Sequence, residues 1–157
     1  MNLNNRMKLK YFFLVLFLGT FATSYAQYDV VWVENNVHFS MPEAGIIGPK
    51  NESSFEWSGK TLKVHLYFSK RGFDLDDADQ AAIRAGKEVG VSKTIREKKI
   101  ETETMKGVYF QGERNGSTIL FASLLNPKLK RGIFVDIEFE GDLNSVLPIL
   151  HTFEIKK

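Results

Sequence analysis

The chain has 157 residues, of which 43% are hydrophobic and 13% aromatic, a composition that argues against disorder. It contains no cysteine, which excludes disulfides, thiolate zinc sites and cysteine nucleophiles. The formal charge is +2, but three of the 21 cations and none of the 19 acids lie in residues 1–26. The rest of the chain is therefore nearly neutral and offers no overall attraction to nucleic acid or anionic membranes.

Residues 1–26 have the three-part layout of a secretory signal peptide. A basic start precedes an apolar run over residues 11–18, and Ser24-Tyr25-Ala26 places small residues three and one positions before an expected cleavage site. The run is shorter than the about 20 residues of a membrane span. We expect a mature chain that starts at Gln27, is exported to the periplasm or the exterior, and keeps no stable membrane anchor.

The first half of the mature chain favours strands. Residues 28–33 and 37–41 are rich in β-branched and alternating apolar residues, whereas residues 43–53 contain two glycines and a proline and are predicted to form a loop. Residues 54–58 and 61–69 predict a hairpin that turns at Gly59. In its second strand Leu62, Val64, Leu66 and Phe68 share one face, and Lys63, His65 and Tyr67 share the other.

A long helix is expected next, with Asp76 as N-cap and Asp79 in the position of a capping box. Leu75, Ala78, Ala82, Ala85 and Val89 recur at steps of three and four residues, so they form a stripe that can lie against a sheet. Gly90 ends the helix. Gly86 lies inside it, at an expected cost of about 1 kcal/mol relative to alanine.

The second half favours strands again. Residues 94–104 are polar and alternating, as in an edge strand or a pair of short ones, and residues 108–113 and 117–125 flank Asn115-Gly116, a strong hairpin signal. Residues 133–140 alternate most regularly. The tail predicts a short helix that starts at Ser145, because Pro148 would then lie in its first turn.

We therefore predict one α+β domain over residues 27–157. Its antiparallel sheet has about six or seven strands, with one long helix and a short C-terminal helix packed on it.

No catalytic or metal-binding motif stands out. Asp74, Asp76, Asp77 and Asp79 are close together, but the spacing fails an EF-hand loop, and acids at a helix start also stabilise its dipole. The three histidines, His38, His65 and His151, lack the spacing of a metal motif. We expect no metal, no cofactor and no catalytic residue.

Four side chains are candidates for binding: Trp57, His65, Tyr67 and Phe134. Aromatic residues are favoured in ligand and partner sites, although they are also ordinary core residues. Phe134 is the exception, because it lies on the polar face of the strand over residues 133–140. There it is either covered by a helix or part of a contact surface.

The strand over residues 37–41 followed by Pro42, the hairpin at Asn115-Gly116, the strand over residues 132–140 and the closing segment 146–153 resemble the PsbP/DcrB-like α/β sandwich superfamily. The resemblance rests on element order over residues 37–155. It implies an antiparallel sheet between helices, and a role in protein–protein contact in the cell envelope or thylakoid lumen rather than catalysis.

The function expected from these features is that of an exported, non-enzymatic envelope protein that binds another protein. Two alternatives stay open. One is a small-ligand carrier with an aromatic-lined pocket between helix and sheet, and the other is a hydrolase without a recognisable motif. The oligomeric state does not follow from the sequence.

Overall fold

A computed structural model describes residues 27–69, 75–93, 95 and 97–157. The predicted signal peptide lies outside the described residues. Eleven strands and two α-helices follow in the order β1 (Tyr28–Trp32), β2 (Val37–Met41), β3 (Ile46–Lys50), β4 (Ser54–Ser58), β5 (Leu62–Ser69), α1 (Ala78–Glu88), β6 (Ser92–Lys93), β7 (Lys98–Glu101), β8 (Lys106–Arg114), β9 (Ser117–Asn126), β10 (Arg131–Phe139), α2 (Leu143–Leu150) and β11 (Glu154–Ile155). Neither helix is long and apolar enough to cross a membrane, within the part of the chain that the structure describes.

The strands form two antiparallel sheets rather than one. The large sheet has the order β3-β4-β5-β10-β9-β8-β6, with β7 also paired to β8, and the small sheet has the order β1-β2-β11. The α+β class is confirmed, but the described residues contain more strands than the six or seven predicted. Two-residue strands such as β6 and β11 are too short to produce a period in the sequence.

The main core lies between one face of the large sheet and a layer made of the small sheet and α2. Its members come from both sheets and from α2, and include Trp32, Phe39, Phe55, Trp57, Val64, Leu124, Val135, Leu150 and Phe153. The ring planes of Phe39 and Phe153 stack at 4.7 Å between centroids, which joins β2 to the segment that follows α2. No cysteine is needed, because burial of this many large side chains at about 1.5–3 kcal/mol each offsets chain entropy.

A second, smaller core lies on the opposite face of the large sheet, under α1. Ala78 and Ala82 of α1 pack there with Phe110 of β8 and Phe121 of β9. A side chain at Gly86 would place its Cβ 2.8 Å from Phe110 Cζ, so glycine permits the close approach of α1 to the sheet. The predicted helix-interior glycine therefore has a packing reason.

The predicted hairpins are present with their expected turns. Asn115 and Gly116 have φ values of 53° and 83° between β8 and β9, as a tight turn with two left-handed residues requires. Residues 54–58 and 62–69 pair as the β4–β5 hairpin.

Three local predictions are wrong. Residues 46–50 form β3 inside the predicted loop, as an exposed edge strand in which Pro49 is tolerated. The turn Leu75–Asp77 is a 3₁₀ helix, so α1 begins at Ala78, and Asp77 occupies the N-cap without a side-chain cap. Helix α2 starts at Leu143 rather than Ser145, since Asp142 caps it by accepting from Asn144 N.

Candidate functional site

The face of the large sheet that carries α1 has two unlike halves. Helix α1 packs against β8 and β9. On β4, β5 and β10 the side chains of the same face are polar or aromatic, and most of them are partly exposed. We call this region the open half; it consists of Ser54, Glu56, Ser58, Lys63, His65, Tyr67, Phe134, Asp136 and Glu138, with Arg114 and Ser117 at its border with the β8–β9 hairpin.

An ion pair with a buried carboxylate lies at the centre of the open half. Asp136 is fully buried, and the Arg114 guanidinium reaches both of its carboxylate oxygens, with Nη1 bonded to Oδ2 and Nη2 at 3.3 Å from Oδ1. Burial raises the pKa of Asp136, and the hydrogen bonds and charge of Arg114 offset that effect only in part. The two-point contact fixes the guanidinium plane in one orientation.

Glu138 extends this ion pair toward the hairpin end of the sheet. Its Oε1 accepts from Lys63 Nζ at 3.2 Å and from Ser117 Oγ at 3.0 Å, and its Oε2 lies 3.7 Å from Arg114 Nη2. Burial alone would raise the pKa of Glu138, but the hydrogen bonds from Lys63 and Ser117 and the two nearby cations outweigh it, so the pKa lies below the ordinary value.

His65 stands between two carboxylates in a row across the sheet. It is the register partner of Glu56 on β4 and of Asp136 on β10. Its Nδ1 lies 3.7 Å from Glu56 Oε1, which is longer than a hydrogen bond. His38 is on β2 and His151 follows α2, so the structure does not bring the histidines together.

Tyr67 and Phe134 are neighbouring aromatic residues beside the charged row. They are direct register partners on β5 and β10, and both are partly exposed. The Phe134 ring also stacks on Phe121 at 6.2 Å, so Phe134 joins the open half to the core under α1. Burial, followed by the charge of Asp136, raises the pKa of Tyr67, which keeps its hydroxyl protonated and able to donate.

Three of the four predicted binding residues thus share one surface, and the fourth does not. Trp57 is 2% exposed and packs in the main core, on the opposite face of the sheet from His65, Tyr67 and Phe134. It cannot contact a partner on the open half. Alternation along β4 explains the difference, because Phe55 and Trp57 point into the core while Glu56 points to the open half.

Two cavities among the described residues are shallow and polar. One, of about 510 Å³, adjoins the open half between the β4–β5 turn, the β8–β9 turn and the end of β10, where Lys60, Lys63, Ser117, Glu138 and Glu140 line it. The other, of about 400 Å³, lies between the start of α1 and β7. Neither matches the aromatic-lined pocket that a carrier would need.

The acidic residues at the start of α1 act locally. Asp76 and Asp77 lie in the 3₁₀ turn, and Asp79 Oδ1 accepts from Gln80 N at 2.7 Å; Asp74 lies outside the described residues. Within the described part of the chain no three His, Cys, Asp or Glu residues are placed to hold a metal ion.

No protein-family profile and no curated protein sequence matches the chain. Solved structures do resemble it in fold. The Saccharomyces cerevisiae Ran-binding protein Mog1p has a TM-score of 0.53 and 10% sequence identity, over 84% of this chain and 96% of Mog1p. A point mutant of protein Mog1 has a TM-score of 0.52 at 10% identity, over 83% of this chain and 96% of that one. At this identity the likeness shows the fold alone.

Proposed function

We propose that this protein is a non-enzymatic binding protein that engages a partner protein through the open half, after export to the periplasm or the exterior. The observation that carries the proposal is the pairing of Tyr67 and Phe134 beside the Arg114–Asp136 ion pair. Partly exposed aromatic side chains next to an ordered arginine are the residue types that dominate binding energy at protein interfaces.

The fixed orientation of these side chains favours protein binding over catalysis. Asp136 and Glu138 each hold a cation in place, so the open half offers a fixed surface whose side chains are already oriented before a partner arrives. Such preorganisation lowers the entropy cost of association. The fold neighbour Mog1p is a Ran-binding protein, and the PsbP/DcrB-like resemblance implies protein contact in the envelope. Both support a binding role for this chain.

Export rests on the signal-peptide pattern of residues 1–26. We propose that the partner is another envelope protein, and that cleavage before Gln27 releases the folded domain. Mass spectrometry of the N-terminus of the protein isolated from its native cells tests this point; an intact Met1 in the main species would contradict it. The ligand-carrier and hydrolase alternatives stay predictions.

Site-specific cross-linking in the native cells tests the docking surface. A photoreactive residue at Ser58, which is exposed on the open half, should capture one partner protein, whereas the same residue at Asp29, exposed on β1, should not. The double variant Tyr67→Ala/Phe134→Ala should lose the captured species. Equal capture from both positions, or capture that survives the double variant, would refute docking at the open half.

A further inference from the structure

The ion pairs of the open half leave one carboxylate available. Asp136 is held by Arg114, and Glu138 is held by Lys63 and Ser117. Glu56 has only the His65 imidazole as an ion-pair partner among the described residues, at 3.7 Å, and its side chain is 43% exposed. Three carboxylates therefore face two permanent cations, and the surplus negative charge lies at Glu56.

The side chain of Glu56 is partly exposed, so an incoming side chain can reach its carboxylate from solvent. Toward the sheet edge its neighbour is β3, where Glu56 packs over Gly48: a Cβ built on Gly48 would lie 3.3 Å from Glu56 Cβ and 3.5 Å from Glu56 Oε2. One carboxylate oxygen of Glu56 therefore faces His65, and the other lies above Gly48 of β3. In the β4–β5 register Tyr67 is paired with Ser54, two residues before Glu56 on the same face. Its ring therefore lies within reach of a side chain that binds Glu56.

We propose that the partner inserts a lysine or arginine side chain at the open half, with its charge on Glu56 and its apolar stem against the ring of Tyr67. This inference rests on the proposed docking function. A carboxylate and the face of an aromatic ring both attract a cation. An acidic guest would instead meet the surplus negative charge at Glu56, so the surface also discriminates by charge.

A peptide titration tests the inference without the natural partner. The probe is acetyl-Phe-Arg-Phe-amide, and the matched control peptide is acetyl-Phe-Glu-Phe-amide; both are added to the isotope-labelled protein and followed by backbone amide shifts. We expect the arginine peptide to shift the amides of residues 54–58 and 63–67 in a saturable manner, and the glutamate peptide to leave them in place.

Variants at Glu56 decide which group is responsible. Glu56→Gln keeps the shape of the side chain and removes its charge. It should lower the affinity for the arginine peptide about fivefold, which corresponds to the loss of one exposed ion pair. Glu103→Gln makes the same charge change at an exposed loop position and should leave the affinity unchanged. Equal binding of both peptides, or an unchanged affinity in Glu56→Gln, would overturn the inference.

Cross-linking in cells separates this inference from the docking proposal. If the species captured at Ser58 depends on Phe134 but forms equally in Glu56→Gln, the open half docks a partner without a cation at Glu56. If capture falls in Glu56→Gln and survives in Glu103→Gln, the partner uses the cation contact.

Discussion

The two halves of one sheet face are built for different neighbours. Under α1, β8 and β9 carry apolar rings that meet alanine and glycine, and Ser123 Oγ donates to Ala78 O at 2.9 Å to fix the helix start. On the open half, β4, β5 and β10 carry charges whose partners come from the sheet itself. Helix α1 packs where its small residues meet apolar rings of the sheet, whereas internally paired charges stabilise the open half, which no helix covers among the described residues.

The largest loss of stability is expected at the stacked rings Phe121 and Phe134, which lie one in each half. Phe121 is fully buried, so Phe121→Ala should lower the free energy of unfolding by about 4 kcal/mol. Phe134 is partly exposed, and Phe134→Ala should cost about 1.5 kcal/mol, because part of its surface is already in water. Urea denaturation of the purified variants measures both values. If both variants lost the same stability, Phe134 would belong to the core under α1, and the two halves would not differ in packing.

The next largest effect is expected at the ion pair between Arg114 and the buried Asp136. Arg114→Ala leaves Asp136 buried without its cation and should cost about 3 kcal/mol. The double variant Arg114→Met/Asp136→Leu should recover most of that loss, because apolar replacements remove the buried charge as well. Arg84→Ala, at an exposed position of α1, is the matched control and should stay within about 0.5 kcal/mol. If Arg114→Ala were no more destabilising than Arg84→Ala, the carboxylate of Asp136 would have to be solvated.

Gly86 tests the covered half. Alanine normally favours a helix interior by about 1 kcal/mol over glycine, but here its Cβ would press on Phe110. Overpacking costs about 1–3 kcal/mol, so Gly86→Ala should destabilise the protein by about 1 kcal/mol net. The neighbouring exposed Lys87→Ala provides the control in the same thermal denaturation series. A stabilised Gly86→Ala would show that α1 can move away from β8.

The smallest effect concerns Glu138 and pH. Because its folded pKa lies below the ordinary value, the carboxylate contributes stability that is present above the unfolded pKa, near 4.3, and is lost as the pH falls through the folded pKa. The difference in unfolding free energy between wild type and Glu138→Gln should be constant above pH 5 and shrink below pH 4. Its size should stay under about 0.5 kcal/mol, since solvent screens the Lys63 pair. If the free-energy difference between wild type and Glu138→Gln grew as the pH fell, the pKa of Glu138 would be raised by folding rather than lowered.

The regular strands and their turns could be predicted from sequence, whereas features that depend on distant contacts could not. Alternation in β5 correctly separates Val64 and Leu66 from His65 and Tyr67, because the period of two is a local property. Strand β3 was missed because Gly48 and Pro49 resemble a loop, and only pairing with β4 makes that segment extended.

The candidate site was predictable in part for the same reason. His65 and Tyr67 follow from alternation in β5, but their position opposite Asp136 and Phe134 depends on the β5–β10 register. The Arg114–Asp136 pair joins the end of one strand to the middle of another across β9. Asp136 lies on the polar face that alternation predicts for β10, so nothing nearby in the sequence indicated that it is buried or that Arg114 is its partner.

The small sheet has a consequence for how the molecule assembles. Strand β2, near the start of the described chain, pairs with β11 through Val37 and Ile155, and Ser40 N donates to Thr152 Oγ1. Because loop closure over such a separation is slow, this third layer should form after the local hairpins. Until β11 is available for pairing, the apolar side of β1 and β2 stays exposed to water, so this interval carries the greatest risk of aggregation and of chaperone binding.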